Sequence, residues 1–211
     1  MIKVERIVVG PLRTNSYIVY DGEGRSGIII DPGGDAERIA RAVETRGVEA
    51  SAIYATHAHF DHILAVDQLR RDLSCKFFLH RDDEWLLGRM PSSARGYLGY
   101  EVPRIADPDA YAEEGQGIEI GECELRILHT PGHTPGGISI VGEGLAFTGD
   151  TLFAGSVGRT DLEGGDAAML AKSILKLLSL PDPYEVHPGH GWRTTIGRER
   201  AHNPFIGGLV R

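Results

Sequence analysis

Apolar and polar residues alternate over residues 2–9, and β-branched residues cluster over 15–20, with the Gly10-Pro11 turn between them. Gly27-Ile28-Ile29-Ile30-Asp31 reads as a buried strand, so the chain opens as β-sheet. Asp35 is placed to cap a helix whose apolar positions Ile39, Ala40 and Val43 follow the 3.6-residue period and which ends at Gly47. Ala52-Ile53-Tyr54-Ala55 returns as a short strand, Ile63, Val66, Leu69 and Leu73 mark a second helix, Phe77-Phe78-Leu79 a strand, and Asp83 to Gly88 a short helix. Residues 91–117 carry Gly, Pro and acidic residues with little periodicity, which predicts a long loop serving as a lid or a subunit contact. Strands follow near 118–120, 123–128, 137–141 and 144–148, then a helix over 166–180 with Met169, Ile174, Leu177 and Leu178 inward, and a last short strand leads to His187. Strands first and a helix later, in both halves, predict an α/β fold with two layers packed sheet on sheet, helices outside, and one domain over 1–211.

Composition narrows the class. At 41% hydrophobic and 25% charged, the chain is neither disordered nor a membrane protein. Its 28 Gly and 11 Pro follow no fixed period, which points to many tight turns and hence to site-bearing loops. A formal net charge of −8 repels a phosphate backbone unless basic residues gather in one place, and Arg38, Arg41 and Arg46 are interleaved with Glu37 and Glu44. No nucleic acid and no membrane are expected as partners; the oligomeric state is open. Cys75 and Cys123 form no close pairing motif and read as small core residues, and residues 1–10 begin with an alternating strand instead of a basic region and an apolar run. The expectation is a cytoplasmic protein with reduced thiols.

The chemistry gathers in Thr56-His57-Ala58-His59-Phe60-Asp61-His62, directly after a predicted strand. Only 9 His occur in the chain, so three within six residues are not a product of composition. Side chains of an extended segment alternate, so His57 and His59 can reach one cation, while Asp61 and His62, on a chain turning into a helix, can serve a second. Three further candidates follow apolar strands in Gly-rich turns: His133 in His129-Thr130-Pro131-Gly132-His133-Thr134-Pro135-Gly136, Asp150 in Thr148-Gly149-Asp150-Thr151, and His190 in His187-Pro188-Gly189-His190. A carboxylate such as Asp150 can bridge two cations and leave each an open position for water. His80 and His202 read as packing or surface residues, and His129 and His187 as hydrogen-bonded structural histidines. Asp31, before Pro32-Gly33-Gly34, either supports the ligand loop from behind or starts a turn.

These separated motifs resemble the metallo-β-lactamase superfamily and, within it, the short glyoxalase II-like (hydroxyacylglutathione hydrolase-like) hydrolases. The T-H-x-H-x-D-H loop is Thr56 to His62, and the later ligands correspond to His133, Asp150 and His190. Gly149-Asp150-Thr151-Leu152-Phe153, followed by Gly155 and Gly158-Arg159-Thr160-Asp161, is similar to the glyoxalase II-like branch. The resemblance implies an αββα sandwich of two mixed sheets, with His57, His59 and His133 on one metal and Asp61, His62 and His190 on the other. Glyoxalase II has a Lys-x-Tyr pair on glutathione where this chain has Arg159 and Asp161, which makes Arg159 the substrate-binding candidate; an internal ion pair with a loop acid is its other reading.

The implied reaction is hydrolysis of a glutathione thioester by a hydroxide shared between two divalent ions, with Asp61 orienting the attack. Zinc is the expected metal, and iron and manganese accept the same mixed His/Asp donors. Two other readings stand beside it. Relatives of the same fold that act as persulfide dioxygenases use one iron held by two His and a carboxylate, available here as His57 or His59 with His133 and Asp150. A non-catalytic module in which metals only brace the loops is the third, and the absence of a fourth protein ligand per metal weighs against it.

Overall fold

The computed structural model describes residues 1–22 and 25–207. Two six-stranded mixed sheets make its centre. The first runs β1 (Ile2–Val9), β2 (Thr14–Asp21), β3 (Ser26–Ile30), β4 (Glu49–Tyr54), β5 (Lys76–Leu79) and β6 (Ala110–Tyr111) in spatial order. Its β1–β2 and β2–β3 pairs are antiparallel, and from β3 to β6 the pairing is parallel. The parallel pairs require crossovers, which α1 (Ala36–Arg46), α2 (Phe60–Ile63) with α3 (Val66–Leu73), and α4 (Glu84–Leu98) provide. Between β5 and α4 lies one 3₁₀ turn, Arg81–Asp83.

The second sheet is built from β7 (Gly117–Ile120), β8 (Cys123–His129), β9 (Ile138–Gly142), β10 (Leu145–Gly149), β13 (Glu185–Pro188) and β14 (Thr194–Thr195), ordered β14-β13-β10-β9-β8-β7. The small hairpin of β11 (Leu152–Phe153) and β12 (Ser156–Val157) and helices α5 (Ala167–Leu178) and α6 (Ile196–His202) complete the fold.

Strand alternation sorts the core into layers. Ile18, Ile29, Ile53 and Phe77 point to α1, α3 and α4. Val19, Ile28, Ile30 and Tyr54 point the other way, onto Ile118, Leu125, Ile140 and Phe147 of the second sheet. The outer face of that sheet is covered by Leu170, Ile174 and Leu177 of α5 and Ile196 of α6. The order is therefore helix, sheet, sheet, helix, as expected. α5 is a run of good helix formers closed at its start by Asp166, whose carboxylate accepts the Met169 N–H at 2.9 Å, a cap worth about 1 kcal/mol.

Four details differ from the sequence reading. Helix α4 runs on through Pro91 to Leu98, so the first part of the expected 91–117 loop is helix: Leu86, Leu87, Met90 and Ala94 are buried, and their packing outweighs the proline's missing donor. Met169 is 37% exposed, because the buried stripe is Leu170, Ile174, Leu177 and Leu178 and Met169 falls off that face. Asp35 stands at the start of α1 without capping it; its carboxylate accepts the Gly10 N–H at 3.0 Å instead. Cys75 is buried as expected, whereas Cys123 is partly exposed.

Candidate metal centre

The seven candidate residues, drawn from both sheets, meet at one edge of the sandwich. His57, His59 and His133 bring ligand atoms within 4.8 Å of one another, as do His57, His62 and Asp150, and again Asp61, His62 and His190. Asp150 lies between the groups: its Oδ1 is 3.5 Å from His62 Nε2, and its Oδ2 is 3.6 Å from both His133 Nε2 and His190 Nε2. Close approach at this point depends on Gly189, where a Cβ would fall 2.2 Å from Asp150 Oδ1 and 2.7 Å from His62 Cε1.

The chain behind the ligands fixes which ring nitrogens face inward. Asp31 follows β3 in the left-handed region, at φ 49°, an uncommon conformation for a residue with a side chain. Its carboxylate accepts Thr56 N and Thr56 Oγ1, both at 2.6 Å, and His62 Nδ1 at 2.9 Å. The Thr56 hydroxyl has given its only proton to Asp31, so in its 3.1 Å contact with His57 it accepts from Nδ1–H. That leaves Nε2 of His57 with its lone pair, buried and without a partner. His133 donates Nδ1–H to the Arg159 carbonyl at 2.7 Å, which likewise turns its Nε2 toward the centre.

Strand β2 braces the other side. Thr14 Oγ1 donates to Asp61 Oδ2 at 3.0 Å. Asn15 Nδ2 donates to the carbonyls of Pro188 and Gly191 at 2.9 and 3.0 Å, and Tyr17 Oη donates to the Pro188 carbonyl at 2.7 Å, which together hold the His190 turn.

Do these residues fit metal ions? Three observations say that they do. Nε2 of His57 and Oδ1 of Asp150 are buried with no hydrogen-bond partner, a costly state for a polar atom unless something else binds it. His59 Nδ1 and His133 Nε2 face each other at 2.9 Å, and the latter holds a lone pair. Burial and the neighbouring His133 push His59 down to about 3, and burial with the surrounding imidazoles takes His57 well below its ordinary value, so both are neutral donors near neutral pH. Burial opposes charge on His62, yet Asp150, Asp61 and Asp31 raise it to about 10. Burial also works against an ionised Asp61, and His62, His190 and Thr14 nevertheless hold its carboxyl well below the usual range. Crowded carboxylates here require positive charge, and metal ions supply it.

The centre opens into a pocket of about 380 Å³. One wall is α4, whose Leu86, Arg89, Ser93 and Tyr97 recur at helical spacing along one face; Leu12, Phe60 and Leu162 add apolar surface. Arg159 also lines the pocket, and its Nε and Nη2 each donate to the Asp161 carboxylate at 2.7 Å, the internal ion pair of its second sequence reading. Arg89, also in the lining, pairs with Glu163 of the lining at 3.3 Å.

Residues 9–190 match the family described as the metallo-beta-lactamase superfamily. The chain belongs to this superfamily. Its histidine and aspartate clusters lie in the metal-binding site of that family, and the nature of the metal is not fixed by the likeness. "Probable metallo-hydrolase YqgX" of Bacillus subtilis is 38% identical, with 99% of each chain covered. "Hydroxyacylglutathione hydrolase GloC" of Haemophilus influenzae is 35% identical over 97% of this chain and 98% of its own. Among solved structures, BLEG-1 B3 metallo-beta-lactamase superposes with a TM-score of 0.90 at 39% identity, covering 99% of this chain and 100% of that one. TTHA1623 in a di-iron-bound form gives 0.87 at 41% identity, covering 96% and 100%. ETHE1 from Myxococcus xanthus gives 0.80 at 27% identity, covering 98% and 85%.

Several contributors carried no sequence signal that we read. Thr14, Asn15 and Tyr17 look like ordinary strand residues, and of the α4 wall Leu86 lies in the expected 83–88 helix, whereas Ser93 and Tyr97 lie in the 91–117 stretch expected as a loop. The i, i+4 series Leu86, Met90, Ala94 would have exposed α4 despite Pro91. The expected hydrogen bonding of His187 is absent at Nε2, which is buried without a partner; the ring stacks on Phe147 with centroids 5.0 Å apart. Among the described residues, no helix is long and apolar enough to cross a membrane.

Proposed function

We propose that this metallohydrolase is a dinuclear thioester hydrolase, with a glutathione thioester as the substrate to test first. The observation that carries the two-metal reading is Asp150, within 3.6 Å of ring nitrogens in both clusters. In this reading His57, His59 and His133 hold one ion, Asp61, His62 and His190 the other, and Asp150 reaches both. Two divalent ions at this position, zinc first among candidates, supply a Lewis acid for the carbonyl and bring the pKa of water down toward about 7. Asp61, anchored by Thr14, is the carboxylate that accepts a proton or hydrogen bond from the attacking water and sets its direction. Arg159, Arg89, Ser93 and Tyr97 hold the thiol portion, and the apolar wall keeps bulk water from the acyl group. The glutathione assignment draws its support from the GloC relative, which aligns over nearly its whole length.

A second reading, a persulfide dioxygenase with one iron on His57 or His59, His133 and Asp150, has the ETHE1 likeness in its favour. Elemental analysis of protein purified without added metal, together with an S-D-lactoylglutathione assay on the same sample, separates the two. Two metals per chain with turnover is the expected result. One iron, no hydrolysis and oxygen uptake with glutathione persulfide would replace the proposal, and turnover of a cephalosporin in place of the thioester would move the substrate toward the BLEG-1 likeness.

A further inference from the structure

Asp83 has no solvent exposure, and no ion pair to it occurs among the described residues. A buried carboxylate without a counter-charge is costly, and its compensation here is specific. Oδ2 accepts the Ala58 N–H at 3.0 Å and the Thr134 hydroxyl at 2.8 Å, while Oδ1 accepts the Gly136 N–H at 2.6 Å. Ala58 lies between His57 and His59, and Thr134 follows His133. The first loop leaves β4 of one sheet, and the second joins β8 to β9 of the other. Contact is as close as a backbone permits: a Cβ on Gly136 would fall 2.7 Å from Asp83 N and 2.8 Å from its Cγ.

We propose that Asp83 is a positioning residue for the metal centre, tying the His57/His59 loop to the His133 loop so that these three imidazoles converge on one ion. Among the described residues no hydrogen bond joins it to any of the three rings, and its hydrogen bonds go to Ala58, Thr134 and Gly136, so it acts through the two loops. Asp31 binds His62 directly and reaches His57 through Thr56. The division of labour is that loss of Asp83 weakens the His57/His59/His133 site alone, whereas loss of Asp31 weakens the site of His62 and, through Thr56, reaches His57 as well. A carboxylate that merely filled space would be replaceable by its amide. Here both oxygens face backbone N–H donors, so an Asn side chain, whichever way it turns, sets an NH₂ against one of them.

The test is cobalt titration of the metal-free full-length chain, followed by visible absorption, for wild type, Asp83→Asn and Asp31→Asn, with the thermal midpoint of each metal-free protein as a control. It does not depend on the identity of the substrate. Asp83→Asn is expected to weaken one of two binding steps by about 10–100-fold and change the absorption that accompanies it, the scale for residues that orient ligands from behind. Asp31→Asn is expected to weaken the step of the His62 site and, through Thr56 and His57, the other step too. Wild-type affinities and spectra in Asp83→Asn, with only a lower midpoint, overturn the proposal, as does equal weakening of both steps by Asp83→Asn. Should Asp83→Asn fail to fold, Thr134→Val removes one side-chain hydrogen bond and leaves both backbone ones; a severalfold weakening of the His133 step without loss of midpoint supports the proposal, and unaltered cobalt binding refutes it.

Discussion

Two groupings of histidine and aspartate stand at the ends of the strands, and only one of them is built to hold metal. His80, Asp82 and His129 also bring potential donors within 4.8 Å of one another. Their rings, however, stack at 4.1 Å with planes 8° apart, so their in-plane lone pairs run side by side and cannot converge on one ion at about 2.1 Å. Their nitrogens also have backbone partners: His80 Nδ1 accepts the Asp82 N–H at 3.2 Å, and His129 Nε2 donates to the Pro135 carbonyl at 2.9 Å. In the seven-residue centre no two of these rings lie parallel among the described pairs: planes of His57 and His59 are 88° apart, of His59 and His133 83°, and of His57 and His62 50°, and buried donor atoms lack partners. Convergence and unspent lone pairs distinguish a metal centre; proximity of the right residue types does not.

The largest test of that contrast is Asp150→Ala. Thioester turnover is expected to fall by on the order of 10³ or more, with metal content below two per chain by elemental analysis. Normal turnover would remove Asp150 from the bridging position. Next in size is the support behind the ligands: Thr56→Val takes away the hydroxyl that joins Asp31 to His57, and metal affinity should drop by about tenfold in a chelator competition. A smaller change is expected in the pocket, where Arg159→Ala should raise KM for the glutathione thioester severalfold with kcat nearly constant, as loss of uniform binding does. An unchanged KM would leave Arg159 with its Asp161 pair alone.

His187 offers a titration outside the centre. Burial takes it down to about 4, below the ordinary 6.5, against the pull of Glu185. Between those values the unfolded chain binds a proton that the folded chain refuses, so this histidine makes stability fall as pH drops from about 6.5 to about 4, by at most roughly 3 kcal/mol. Urea unfolding of metal-free wild type and His187→Phe at both ends of this window should show the wild type losing more. Equal losses would mean that the buried ring is not the source. At the bottom of the scale, His129→Gln should leave metal stoichiometry and turnover within about twofold of wild type; a lost metal would show that the stacked pair holds one after all.

The ligands and the residues that hold them in place were not equally legible. Thr56 to His62 spells its chemistry in consecutive residues, because strand alternation and the turn into α2 are local and place the donors with little help from elsewhere. His133, Asp150 and His190 were readable as Gly-rich turns after strands. Asp83 was invisible in its role, since its three donors lie 25, 51 and 53 residues away. Helix α4 was misread for a related reason: Pro91 dominates its local propensity, and what keeps the helix whole is burial of Leu86, Leu87, Met90 and Ala94 against the first sheet.

By itself the sequence determined the layered α/β architecture, the superfamily and the seven side chains that gather at the site, because each rests on periodicity or on short motifs that survive without tertiary context. Only the tertiary structure decided which nitrogens face inward, which aspartates stand behind them, and that Arg159 shares the pocket with α4 while paired to Asp161. Those features depend on hydrogen bonds and close approaches between loops of two different sheets, and the linear order of residues does not encode such distances.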